Sequence, residues 1–145
     1  MPTIEASKKD FESLLGIKIR DKEQLEELLM FAKCELDALD GDALKIDCKD
    51  TNRPDLWSIE GIAREIRLRT GKQKGMAKYK IKKSKLKVKV EKSVEDVRPL
   101  TACAVIKNVK VTDELLRQII QLQEKIHGSF GIQNSCRSTS TKSSA

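Results

Sequence analysis

The chain has 145 residues, enough for one compact domain or a small domain followed by a piece of another, and a formal charge of +7; with only five aromatic side chains, any core must be mostly Leu, Ile, Val and Ala. It lacks an apolar run near the roughly 18 residues that a membrane span needs, and its start, MPTIEASKKD, lacks the apolar middle of a signal peptide; a cytosolic, non-membrane protein is the expectation. The charge is unevenly spread. Residues 72–92 hold ten Lys and one Glu, a local +9, which leaves −2 for the remainder, while residues 1–55 carry 14 acidic against 9 basic side chains.

In chain order, Ser7 with Asp10, then Phe11, Leu14 and Leu15 with Gly16 behind them, predicts a short capped helix. A second helix follows, with Asp21 and Gln24 spaced as a capping box and Leu25, Leu28, Leu29 and Ala32 on one face. From Cys34 the apolar period becomes two: Cys34, Leu36 and Ala38, then, beyond Asp40-Gly41-Asp42, Leu44, Ile46 and Cys48. This predicts a β-hairpin. Keeping both apolar sets on one side favours a three-residue DGD loop, which sets Cys34 opposite Cys48. A disulfide there is geometrically feasible and disfavoured in a reducing cytosol.

The segment DTNRPDLWSIEGIAREI predicts a helix from about Asp55 or Ser58 to Arg69, stopped by Gly71, with Ile59, Ile62, Ala63 and Ile66 inward. Leu86, Val88 and Val90 alternate with lysines and predict a strand, Tyr79 and Ile81 a shorter extended piece. Residues 101–111, TACAVIKNVKV, predict a mostly buried strand. Thr112 or Asp113 then caps a last helix with Leu115, Leu116, Ile119, Leu122 and Ile126 as its stripe and Gly128 as its stop. The remaining Ser/Thr-rich residues offer too little burial to offset their ordering entropy, so a disordered tail is expected.

Few constellations carry chemistry. The four cysteines show no CxxC spacing and His127 is the single histidine, so a metal site is not expected and the thiols, Cys103 and Cys136 included, read as buried structural groups. Phosphate-cradling glycine motifs are lacking, and spacing gives His127 no nucleophile to serve. Lys80, Lys82, Lys83, Lys85, Lys87 and Lys89 are the RNA-contacting candidates, because a row of lysines neutralises phosphates; the same alternation also describes a solvated strand face. In Asn52-Arg53-Pro54-Asp55, Pro54 fixes φ for a first helical turn while Asp55 and Ser58 satisfy open amides. Gly61 inside that helix costs up to about 1 kcal/mol relative to Ala, which implies a close backbone approach by another element. Structural bracing explains these residues more simply than ligand contact.

Several collinear segments, MPTIEASKKDFESLLG, CELDALDGDALKI, NRPDLWSIEGIAREI and VRPLTACAVIKNVKVTDELLRQIIQLQEKIHGSFG, together resemble the N-terminus of the phenylalanine–tRNA ligase β subunit of the archaeal and eukaryotic type, over about residues 1–131. The resemblance implies an α+β fold: residues 1–80 as a small N-terminal domain, 81–131 as the incomplete start of a B3/B4-type domain that hydrolyses mischarged tyrosyl-tRNA, and 132–145 as a Ser/Thr-rich tail. It also implies a catalytic α subunit as partner in an (αβ)2 assembly that charges tRNA(Phe) with ATP and magnesium. Catalytic residues of the family do not map onto this sequence. Asn52, Arg53, Pro54, Asp55, Ser58 and Gly61 match its N-terminal signature. The expectation is a truncated, frameshifted or prematurely stopped β subunit that lacks catalytic and editing sites; the alternatives are a standalone RNA-binding or assembly module and an independent deacylase.

Overall fold

The computed structural model describes residues 2–50, 52–75, 78, 80–96, 100 and 102–131, so the expected tail lies outside the described residues. The chain divides into two units, one formed by residues 1–75 with the segment from Thr112 onward, the other by residues 76–111. No helix among the described residues is long and apolar enough to cross a membrane.

The first unit is α+β. Its elements are β1 (Thr3–Ser7), α1 (Lys8–Leu15), α2 (Lys22–Met30), β2 (Cys34–Asp40), β3 (Ala43–Cys48), a 3-10 turn at Pro54–Leu56, α3 (Ile59–Arg69) and α4 (Asp113–Ile126). The three strands make an antiparallel sheet in the order β1-β3-β2. One core holds it together, with Ile4 from β1, Phe11 and Leu15 from α1, Leu25 and Leu29 from α2, Leu44 and Ile46 from β3, and Ile59, Ile62 and Ile66 from α3. Each such side chain contributes roughly 1.5 to 3 kcal/mol by leaving water.

Local capping chemistry sets the helix boundaries. Ser7 Oγ accepts from the Asp10 amide at 3.1 Å, and Gly16, at φ +69°, closes α1 in the left-handed region. Asp21 Oδ1 accepts from the Gln24 amide at 2.8 Å; Gln24 Oε1 reaches back to the Arg20 amide, one residue before the cap, at 2.8 Å. Asp42 adds a long-range cap that the local pattern did not announce. Its carboxylate accepts from Ser7 Oγ at 2.8 Å and from the Lys9 amide at 3.0 Å, tying the hairpin tip to the start of α1.

Four sequence expectations are corrected. The strand β1 was not foreseen, because five residues of alternation are too few to reveal a strand whose partner lies some 40 residues downstream. The hairpin loop has two residues, Gly41 and Asp42, rather than three: Cys34 pairs with Cys48 as expected, but an irregularity between Leu36 and Ala38 shifts the register, so Asp40 meets Ala43. That bulge at Asp37 reverses the facing of everything after it. Leu39 therefore pairs with Leu44 and packs on the core while Ala38 is exposed.

The other two corrections concern the second half of the chain. Neither 85–91 nor 102–111 forms a strand, and Leu86, Val88, Val105, Ile106 and Val111 are exposed. Alternation marks a segment able to pair, but a ladder also needs a partner edge, and Asn108 at φ +61° interrupts the extended run. Ile81 is exposed without forming a strand, and Tyr79 lies outside the described residues. Finally, Gly128 does not stop α4, which continues as a π-helical turn through His127–Gly131.

The last helix sits on β1 with a mixed face. Leu122 packs against the core, while Leu116, Ile119, Ile120 and Ile126 are exposed. Thr112 supplies its cap, accepting from the Leu115 amide at 3.2 Å. Gln121 pairs with the edge of β1 through both amide atoms: Oε1 accepts from the Glu5 amide at 3.1 Å and Nε2 donates to the Glu5 carbonyl at 3.2 Å. A side-chain amide thus takes the place of a neighbouring strand.

Candidate functional site

The segment between β3 and α3 gathers most of the residues singled out in the sequence. Pro54 opens the 3-10 turn at a position where its missing N–H costs nothing, and the turn closes through the Trp57 amide donating to the Pro54 carbonyl at 3.2 Å. Ser58 caps α3, its Oγ accepting from the Gly61 amide at 3.2 Å. Leu56 and Trp57 between them are buried in the core. A Cβ on Gly61 would fall on the carbonyl oxygen of Asp55, so the helix lies against the turn at a distance that only glycine permits.

Arg53 binds this joint from outside. Its Nε and Nη2 donate to the two carboxylate oxygens of Asp55 at 3.1 and 2.7 Å, and Nη2 also reaches Glu65 Oε2 at 3.2 Å. Arg69 Nε donates to the other Glu65 oxygen at 2.9 Å. The guanidinium beside Asp55 holds that carboxyl below its ordinary range. Burial opposes ionisation of Glu65, but Arg69 and Arg53 outweigh it and its pKa also falls. Arg53 itself is held more firmly charged by Asp55 and Glu65 despite some desolvation. Asn52, next in the signature, is exposed.

The lysine candidates occupy the second unit. Lys80, Lys82, Lys83, Lys85, Lys87 and Lys89 are all exposed, on chain without regular secondary structure rather than on a strand face. A groove of about 690 Å³ in the first unit has the opposite character: Glu5, Asp42, Asp113 and Glu114 line it, with Arg117 the basic group. Asp42 there is held below its ordinary pKa, first by the Ser7 hydroxyl and then by the Lys9 amide. Among the described residues no cluster of His, Cys, Asp and Glu could hold a metal ion.

The hairpin brings two thiols together. Cys34 and Cys48 are buried with their sulfurs 3.1 Å apart; Cys34 Sγ also contacts the Ala32 carbonyl at 3.4 Å and Cys48 Sγ the Leu56 carbonyl at 3.1 Å. Contact with Cys48 and burial both push the Cys34 thiol up. Cys48, whose thiolate would accept the Cys34 S–H, is lowered despite burial, with a smaller contribution from Lys125. Cys103 corrects the expectation of burial, being exposed, and Cys136 lies outside the described residues.

No family model matches the chain. It is 47% identical over 135 residues to the phenylalanine–tRNA ligase β subunit of Thermococcus kodakarensis and 44% identical to that of Pyrococcus horikoshii, covering 90% of its own length in each case. It spans only about a quarter of those relatives, 23% and 24% respectively. Among solved structures it is similar to the crystal structure of an N-terminal fragment of the phenylalanyl-tRNA synthetase β subunit from Pyrococcus horikoshii, with a TM-score of 0.82 and 43% identity over 91% of this chain and 39% of that one. Sequence and fold together show that the chain belongs with the N-terminal part of the archaeal phenylalanine–tRNA ligase β subunits.

Proposed function

We propose that the chain is a non-catalytic N-terminal module of a phenylalanine–tRNA ligase β subunit, acting beside a catalytic α subunit in an (αβ)2 assembly. That assembly charges tRNA(Phe) in the cytoplasm, and its ATP and magnesium are bound elsewhere than on these residues. The match to β subunits over 135 residues is the observation that carries this reading. Geometry adds a second support: Arg53, Asp55, Ser58 and Gly61 are already engaged with one another, which suits a brace between elements better than a site awaiting substrate. In the same proposal residues 1–80 are the N-terminal domain and 81–131 the start of the domain that edits mischarged tRNA, whose helix α4 packs back on the first unit.

Coexpression with the α subunit of a close relative tests the assembly. The expected result is co-elution of the two chains in gel filtration. Separate elution at all concentrations would refute it.

A standalone RNA-binding module is the second reading, favoured by the exposed lysines at 80–89. Affinity for tRNA measured without any α subunit separates the two: tight binding by the chain alone supports the module, and only weak, salt-labile binding supports the subunit role.

A further inference from the structure

The thiol pair has features that a merely space-filling pair would not need. Cys48 donates its backbone N–H to the Pro2 carbonyl at 3.1 Å, on the β1 side of the sheet, so toward β2 it occupies a non-hydrogen-bonded position opposite Cys34. In antiparallel pairs that is where Cα atoms approach most closely and side chains meet. The 3.1 Å between the sulfurs exceeds a disulfide bond by only about 1 Å. Both residues also lie at strand ends, Cys34 opening β2 and Cys48 closing β3. Local opening of an element's end costs less than global unfolding, and it is the route a small oxidant would take to the buried sulfurs.

We propose that Cys34 and Cys48 form a redox-active dithiol that a peroxide-class oxidant converts reversibly into a disulfide. The Cys48 thiol gives up its proton, the resulting thiolate attacks one peroxide oxygen, the O–O bond breaks, and the leaving hydroxide takes up that proton to become water. Cys48 is then a sulfenic acid. The Cys34 sulfur, giving up its proton, attacks the Cys48 sulfur; the S–S bond forms, the S–O bond breaks and a second water leaves. Two thiols and one peroxide give one disulfide and two waters, and a thiol reductant restores the pair.

Oxidation removes the S–H that Cys48 directs at the Leu56 carbonyl. That carbonyl belongs to the turn preceding Trp57, the single tryptophan of the chain. The modification therefore acts on the joint at the start of α3 and has an optical reporter beside it.

The test uses the full chain with Cys103→Ser and Cys136→Ser, treated with hydrogen peroxide, alkylated and analysed by intact mass and peptide mapping. Expected are the loss of two hydrogens, a single Cys34–Cys48 cross-linked peptide, a raised melting temperature and a changed Trp57 emission, all reversed by dithiothreitol. Adding Cys34→Ala should stop the reaction at a Cys48 sulfenic acid that couples to a small thiol. Thiols that stay free, or that pass to sulfinic and sulfonic acids without a cross-link, would overturn the proposal.

Discussion

At Gly61 two effects of alanine substitution oppose each other, and their sizes decide the outcome. Alanine favours helix over glycine by roughly 1 kcal/mol. Against that, the added Cβ meets a backbone oxygen, that of Asp55, which cannot rotate away as a side chain could. Overpacking against such an obstacle costs about 3 kcal/mol, so Gly61→Ala is expected to destabilise the first unit by about 2 kcal/mol net. Urea titration followed by Trp57 emission checks this; an unchanged or higher midpoint refutes the close approach.

The Arg53 contacts should show in the pH dependence. Asp55 and Glu65 have folded-state pKa values below their ordinary ones, so their contribution is fully present above about pH 4 and is lost as pH falls through the folded values. Asp55 is largely exposed, which limits its pair with Arg53 to well under about 1 kcal/mol. Asp55→Asn is expected to lower stability slightly at neutral pH, with the difference from the parent shrinking in acid. A difference that stays constant down to the acid limb would mean that the carboxylate charge is immaterial.

Among elements, the edge of β1 gives the clearest case of a helix doing the work of a strand. Both backbone groups of Glu5 that face away from β3 are bonded by Gln121, so Gln121→Ala exposes one donor and one acceptor at once. The two exposed hydrogen bonds contribute on the order of 1 kcal/mol, and the Glu5 amide should exchange hydrogen about tenfold faster while amides of α3 change little. Equal acceleration throughout the unit would show instead that α4 supports the whole core.

The same elements show what the amino-acid pattern made legible. Ser7, Asp21, Ser58 and Thr112 declared their helices because capping bonds span three residues, and the Gly61 anomaly pointed to a neighbour it did not name. The bulge at Asp37 was hidden because one extra residue leaves alternation intact on either side, and the capping role of Asp42 because its partners lie about 35 residues away. The lysine segment misled in the opposite way: its alternation was real, but pattern alone cannot supply a strand with a partner. Of the candidate site, the proline turn, the Ser58 cap and the close approach at Gly61 were readable in outline, whereas the Arg53–Asp55 pair and the approach of Glu65 to it were set by the path of the chain into α3.

For the whole molecule, the separation of charge is the property with the largest measurable consequence. Ten lysines and one glutamate between residues 72 and 92 contrast with the acidic excess of residues 1–55, and the candidate lysines are exposed. If four of them neutralise phosphates, the slope of log affinity against log salt is about −3.6, a loss of roughly a hundredfold in tRNA affinity between about 50 and 200 mM salt. Replacing Lys82, Lys83, Lys85 and Lys87 by Gln should bring that slope close to zero and leave the melting transition of the first unit in place, since none of the four belongs to that unit. A slope unchanged by the substitutions would move the RNA contact to another surface. Loss of the melting transition along with affinity would show instead that these lysines contribute to folding, in conflict with their exposure.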